Sequence, residues 1–292
     1  MESQGMIDFP IVDTHLHIWD TNKLRYPWLD AIPLLNRPYL PEKYNAACGH
    51  VKVDAMVFLQ CECDPVQYRQ EAEWVSGLAQ QERRIQGIVP WAPLEKGEAV
   101  GPELEALCRN KLVKGIRRII QFEQDPEFCL RPDFIKGVRL LADFDLSFDI
   151  CVSHFQMANA IEFVRQCPEV QFILDHIGKP DIRNRILDPW RTKLKRLAEF
   201  PNVYCKLSGL VTEADHRSWT QEDLKPYIDH VIGCFGWDRV MYGGDWPVAC
   251  QATDYPRWVQ ALSWAVRGCS KQELRKLFSG NAIRFYRLPG LR

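Results

Sequence analysis

The sequence has no long apolar run. Nothing approaches the ~18 consecutive apolar residues of a membrane span, and Met1 to Pro10 combine acidic residues with no extended apolar core. With neither a span nor an export signal, the expectation is a cytoplasmic protein without a membrane partner. Net charge is also lacking: 37 basic residues against 38 acidic ones leave −1 over 292 residues. Lysine and arginine are spread along the chain, so no field gathers phosphate backbones and a nucleic-acid role is disfavoured. No G-x-G-x-x-G or G-x-x-x-x-G-K-[ST] stands at a strand-to-helix turn, which removes the common dinucleotide and nucleotide cradles. No Gly/Ser-rich linker, charge block or internal repeat marks a second domain. The 11 cysteines are an odd number in a large chain without an export signal, so free thiols are expected. Cys61 and Cys63 could be soft metal ligands, but no second close pair completes a four-cysteine zinc site.

Hydrophobic residues at 46% and charged residues at 26% give the balance of a globular protein. The apolar pattern predicts strands over Ile11–Trp19, Val53–Cys61, Ile85–Pro93, Val113–Ile120, Ser147–Ser153, Val170–Ile177, Val203–Ser208 and Arg239–Trp246. Helical segments such as Val66–Gln81, Met157–Gln166 and Glu222–Cys234 alternate with them. Such alternation implies parallel strands joined by right-handed crossovers, and eight of them close into a barrel. The expected class is therefore α/β: one (β/α)8 TIM barrel over residues 1–292, with a long loop after the first strand. That loop, Asp20 to Asn45, is rich in Pro and aromatic residues and reads as a functional lid.

In such a barrel the active site lies at the C-terminal strand ends. There the first strand brings His15 and His17, which as i and i+2 on a strand share one face. An isolated H-x-H is as readily a pair of buried packing histidines, so its meaning depends on what joins it. The fourth strand offers Arg117, Arg118 and Gln121, and alternation lets only one of the arginines face inward. The fifth offers His154. The sixth ends in Asp175-His176, of which only one can face inward. The eighth ends at Asp245, after Gly243-Gly244, where glycine lets another group come close to the backbone. A helix N-cap is the alternative for Asp245, but Trp246-Pro247 delays the next helix. Trp28, Trp91 and Trp246 offer apolar faces to a sugar ring, or simply pack the barrel mouth.

The ordered set His15-x-His17, His176-x-Gly-Lys-Pro and Gly244-Asp245-Trp246-Pro247 resembles the amidohydrolase superfamily. More narrowly it is similar to the branch of L-fucono- and L-rhamnono-lactone hydrolases and 2-pyrone-4,6-dicarboxylate lactonases. Tyr26-Pro27-Trp28-Leu29 and Leu40-Pro41 resemble the first loop of the sugar-lactone members, and the likeness runs on to Gly280-Asn281-Ala282. It implies a hydrolase opening a cyclic ester, a carboxylic ester hydrolase with a small-molecule lactone as partner. Asp245 would be the general base, and His15, His17 and His176 would bind a divalent cation or polarise the lactone carbonyl. A metal set of His15, His17 and Asp245 follows, with Asp245 and His176 as the catalytic pair. Trp28, Arg117, Arg118, Gln121, His154 and Trp246 are the substrate-binding candidates.

Binuclear members carry a bridging lysine or glutamate at the end of the fourth strand. Here that end reads Ile119-Ile120-Gln121, and Lys114 stands at the opposite end. The expectation is one divalent ion, zinc or manganese, or a metal-free site. Opening a lactone needs activated water and a cation or donors where negative charge develops on the carbonyl oxygen. The alternatives are a pyrone-dicarboxylate lactonase, a metal-dependent decarboxylase or nuclease on the same barrel, and a non-catalytic binding protein. The sequence sets neither the lactone nor the oligomeric state.

Overall fold

The computed structural model describes residues 10–290, so the reading of the N-terminal segment falls, up to residue 9, outside the described residues. Eight parallel strands are present: β1 Ile11–Leu16, β2 Val53–Leu59, β3 Ile85–Val89, β4 Gly115–Ile116, β5 Ser147–Ile150, β6 Phe172–Leu174, β7 Val203–Leu207 and β8 Val240–Tyr242. They pair in chain order as β1-β2-β3 and β4-β5-β6-β7-β8. Isolated parallel bridges join the two ladders, Ile88 to Val113 on one side and Leu16 to Trp246 on the other. Backbone bonds cross both seams, from Lys114 N to Ile88 O (3.0 Å) and from His17 N to Trp246 O (2.8 Å). The alternation of eight strands with helices therefore yields the TIM barrel. Each strand is shorter than its apolar run, because the ends leave the ladder to form the mouth.

The helices are α1 Pro41–Cys48, α2 Tyr68–Gln81, α3 Gly101–Cys108, α4 Pro132–Arg139, α5 Met157–Gln166, α6 Trp190–Ala198, a single turn α7 Leu210–Glu213, α8 Gln221–Phe235, α9 Tyr255–Ala265, α10 Lys271–Arg275 and α11 Asn281–Phe285. Alternation sorts the strand residues into two layers. Met56, Phe58, Phe148, Ile150, Phe172 and Leu174 pack outward in the large cluster with the helices. Val12, Ala55, Val57, Leu59, Val89, Ile173 and Met241 form a second cluster inside the barrel with Ala282, Phe285 and Tyr286. The C-terminal helix α11 thus contributes to the barrel's inner packing.

The segment after β1 is more structured than the expected long loop over Asp20 to Asn45. Pro41 stands at the first position of α1, where its missing N–H and fixed φ cost nothing, so a proline read as a loop mark starts a helix. Pro27–Ala31 forms a 3-10 turn, and Trp19 and Tyr39 exchange backbone bonds of 3.0 and 2.8 Å. Tyr26, Leu29 and Tyr39 are buried. The segment is a packed cover.

All 11 cysteines are unpaired. Cys61 is buried, and burial pushes its thiol well above the ordinary range. Its backbone N–H donates to the buried carboxyl of Glu71 on α2, at 3.2 and 3.3 Å to the two oxygens. Burial lifts Glu71 to about 8. From an unfolded value of 4.5 up to about 8, the native state holds a proton that the unfolded chain has released, so stability falls as pH rises across that window. Glu71→Gln, neutral at every pH, should match the wild type at pH 4.5 and exceed it by roughly 4 to 5 kcal/mol at pH 8.5 in urea melts. Parallel pH profiles for the two proteins would contradict this.

Candidate active site

His15 and His17 share the barrel interior because β1 is irregular. The β1–β2 register shifts between Asp13 and Leu16, and this break re-aims the strand end. Asp13 lies on the outer face with Tyr44 and Tyr255, while the His15 ring is 4.9 Å from that of His17 and 4.3 Å from that of His176. Strict alternation would have put Asp13 on the histidine face.

At the end of β6 a second break corrects an expectation. Alternation allowed only one of Asp175 and His176 to face inward, and both do. Asp175 continues the inward register. His176, Ile177, Gly178 and Lys179 then take φ of 52°, 52°, 74° and 49°, a left-handed turn that swings His176 back to the cluster. L-residues enter this region at a cost of about 1–3 kcal/mol each, so the surroundings must hold them. Trp190 Nε1 donates to Ile177 O (2.7 Å), and His176 Nδ1 meets Ser208 Oγ at 3.0 Å. Gly209 leaves space for this ring, since a Cβ there would overlap His176 Nδ1.

Asp245 follows β8, itself left-handed at φ 53°. Its backbone N–H donates to His15 O (2.7 Å). Asp13 Oδ1 accepts from Gly244 N (2.7 Å) and His15 N (3.1 Å), while Oδ2 accepts from the hydroxyls of Tyr44 (2.8 Å) and Tyr255 (2.9 Å). Asp13 therefore pins the His15 and Asp245 segments together. A Cβ at Gly244 would overlap its carboxylate, which is the close approach expected of the glycine pair. Asp245 does not cap a helix through its side chain. Its Oδ1 lies 3.8 Å from His15 Nε2, 3.7 Å from His17 Nε2 and 4.0 Å from His176 Nε2.

Burial sets the electrostatics. Desolvation lowers His17 to about 3 and holds His15 and His176 well below the ordinary histidine value, so all three are neutral near pH 7. Asp245, 3% exposed, is pushed up to about 7 by the same cause, opposed first by Lys179 and then by Arg117. His17 Nδ1 donates to Leu59 O (3.0 Å), which turns the Nε2 lone pair to Asp245. His15 Nδ1 is 3.3 Å from Asp175 Oδ1, near enough to be polarised but without hydrogen-bond alignment, and neither ring nitrogen has a hydrogen-bond partner among the described residues. An orphaned, neutral imidazole nitrogen beside a carboxylate is what a divalent ion requires. Two atoms each about 2.0–2.2 Å from one zinc ion lie no more than about 4.4 Å apart, and the distances from Asp245 Oδ1 satisfy this. His15, His17 and Asp245 form such a set, and His15, Asp175 and His176 a second. The second is disfavoured because Asp175 is engaged by Lys206 (3.0 Å) and Arg117 (3.1 Å).

The other expected residues divide. Arg117 is the inward arginine, with Nε on Asp175, Nη1 donating to Gln60 O (3.2 Å) and Nη2 to Cys151 Sγ (3.5 Å). Arg118 is not in the cluster. Alternation turns it outward, and it pairs with Glu95 (3.4 Å) and Glu123 (2.5 Å) over the Phe128 ring. Gln121 is half-buried and accepts weakly from Cys151 Sγ (3.6 Å). His154 Nδ1 donates to Lys179 O (2.9 Å). Trp28 donates to Cys61 O (2.8 Å) and meets Trp19 edge-on. Trp91 meets the tilted Tyr68 ring at 4.7 Å. Trp246 is buried against Tyr39 and Tyr44, both at 5.3 Å, so it packs the mouth and offers no open face to a sugar.

The sequence reading missed Lys206 and Asp149, fully buried inside the barrel, where Lys206 Nζ meets Asp149 Oδ2 (2.5 Å) and Asp175 Oδ1 (3.0 Å). A charged residue inside the apolar runs Val203–Ser208 and Ser147–Ser153 was the available signal. It also missed Ser208, and Lys179 with its partner Glu213 at 3.5 Å.

The family model described as Amidohydrolase matches residues 12–288. The L-fucono-1,5-lactonase of Burkholderia multivorans is 33% identical over 95% of this chain and 96% of its own length. A crystal structure of an amidohydrolase from Burkholderia multivorans with bound zinc superposes with a TM-score of 0.87 at 31% identity, covering 96% of this chain and all of that one. The crystal structure of a candidate 2-pyrone-4,6-dicarboxylic acid hydrolase from Pseudomonas putida has the same fold at a TM-score of 0.71 and 18% identity, covering 95% of this chain and 97% of that one.

Proposed function

The chain belongs to the amidohydrolase family, and from that membership we propose that it opens the ring of a sugar-acid lactone such as L-fuconolactone or L-rhamnonolactone. The observation that carries this reading is a buried carboxylate, Asp245, facing three neutral imidazoles at the barrel mouth. Asp245 takes a proton from water as the water oxygen bonds to the lactone carbonyl carbon. The charge that develops on the carbonyl oxygen is met by His176, whose Nε2–H is free to donate when Ser208 donates to Nδ1. Collapse breaks the bond from carbonyl carbon to ring oxygen. The proton on Asp245 passes to that oxygen, leaving a hydroxy acid and restoring the carboxylate.

His15, His17 and Asp245 fit one divalent ion, which when bound supplies Lewis acidity and lowers the pKa of water. Elemental analysis should find about one zinc or manganese ion per chain, falling to background in His17→Ala. Equal metal in both proteins would remove His17 from the ligand set.

The test of the reading is proton release on L-fucono-, L-rhamnono- and D-gluconolactones and on 2-pyrone-4,6-dicarboxylate. Turnover is expected on sugar lactones, and none on any lactone would overturn the reading. The pyrone ranks lower because its two carboxylates call for two cationic groups, and the Arg117 guanidinium is engaged inside the barrel by Asp175, Gln60 and Cys151.

A further inference from the structure

Hydrolysis of a lactone turns a neutral ester into a carboxylate. That second anion forms beside Asp245, in a cavity whose imidazoles are neutral, whose inward arginine is already paired with Asp175, and whose divalent ion, when held by His15, His17 and Asp245, would already offset the Asp245 charge. A buried like-charge pair needs a cation to be tolerated. Lys179 meets the requirement. Its side chain is 18% exposed, and it makes a loose ion pair of 3.5 Å with Glu213, 26% exposed. Lys179 follows His176 by three residues at the C-terminal end of β6, and Glu213 lies on α7 just after β7, so the pair stands at the reacting end of the barrel.

Its backbone is built to deliver it there. Lys179 ends the left-handed run from His176, closed by Lys179 N donating to His176 O (2.9 Å). His154, from the loop after β5, donates to Lys179 O (2.9 Å). Arg183 N donates to Glu213 O (2.9 Å), tying the loop after β6 to α7. Three mouth loops therefore fix the Lys179–Glu213 pair, and strain of this kind persists where a side chain's aim matters. His154 acts in this arrangement through the Lys179 carbonyl.

We propose that Lys179 is the anion anchor of the mouth: its ammonium receives the carboxylate formed on ring opening, and Glu213 holds it in place while the site is empty of anion. The proposal rests on the lactonase reading and adds the group that binds the product. Three elements follow: the loop after β5 positions, the loop after β6 binds, and α7 competes.

The experiment measures binding of L-fuconate by calorimetry and its inhibition constant against lactone opening, in the wild type, Lys179→Met, Lys179→Arg and Glu213→Gln. Lys179→Met should weaken L-fuconate about tenfold or more while the KM for neutral lactone moves about threefold or less. Lys179→Arg should recover most of the loss. Glu213→Gln, which removes the competing carboxylate, should tighten L-fuconate a few-fold, about two to five. L-fuconate binding that is unchanged in Lys179→Met overturns the anchor, and so does unchanged binding in Glu213→Gln should the lysine variant fail to fold. Lactone turnover with Lys179-independent L-fuconate binding would leave the lactonase reading standing without the anchor. Lys179-dependent binding of L-fuconate by a protein that opens no lactone would remove that reading and keep the anchor.

Discussion

Asp245→Asn should lower kcat/KM for lactone opening by about a hundred- to ten-thousandfold, the range carried by a positioned general base. It should do so without loss of thermal stability. The carboxylate is 3% exposed and held near 7 by burial, so the native state bears a desolvation cost that a neutral amide does not. Above an unfolded value of 3.8 and up to about 7, the wild type holds a proton that its unfolded chain has released, and its stability falls as pH rises through that window. The asparagine variant lacks this slope and should be the more stable protein at pH 8. Activity carries the opposite sign, because the base works only when ionised. For enzyme stripped of metal by a chelator, kcat/KM should rise with pH to a half-maximum at about 7, not at the ordinary carboxylate value of about 4. A variant that keeps wild-type turnover would remove Asp245 from the role of base, and a lowered melting temperature would contradict the stability account.

The barrel and the rim position of His15, His17, His176 and Asp245 are legible in the sequence for one reason. Eight apolar runs of strand length, separated by helical periodicity, fix which ends face the same way, and polar residues at those ends stand out against them. The strict two-residue period reads Arg117 and Arg118 correctly as one inward and one outward, although it cannot say which. It fails wherever the backbone departs from the pleat. The register shift between Asp13 and Leu16 separates Asp13 from the histidines, and the left-handed run His176 to Lys179 turns His176 inward beside Asp175, which the strand register already places there. Neither break has a local signature, since three of those four residues are not glycine. Tertiary contacts such as Trp190 to Ile177 O and His154 to Lys179 O hold the conformation. Trp246 illustrates the converse: its place at a strand end suggests substrate contact, while its neighbours Tyr39 and Tyr44 come from the segment after β1 and cover it.

Lys206→Met should destabilise the protein by about 3–5 kcal/mol near pH 8, the cost of leaving buried charge without its partner. Lys206 lies inside the barrel with no exposed surface, its ammonium between Asp149 and Asp175. The two carboxylates respond differently to burial. Asp175 stays below the ordinary carboxylate value because Arg117 supports it as well as Lys206, whereas Asp149 is held above it, with Lys206 as its main cationic support and a hydrogen bond from Tyr286 (2.9 Å). Removing the lysine raises Asp149 further. Between the unfolded value of 3.8 and that raised value, the folded variant binds a proton that the unfolded chain has lost. Its stability therefore declines as pH rises through the window, and its deficit against the wild type is smallest near pH 4 and grows toward pH 8. Denaturant melts at those two pH values measure the difference, and a deficit independent of pH would contradict the account. Adding Asp149→Asn to Lys206→Met should recover much of the loss at pH 8, because the amide oxygen still accepts from Tyr286 and no unpaired charge remains at position 149. Asp175 keeps Arg117 in that double variant, so the carboxylate that polarises His15 stays ionised. The barrel's buried charges thus form one chain from Asp149 through Lys206 and Asp175 to the imidazole facing Asp245, and the double variant separates its contribution to folding from its contribution to the site.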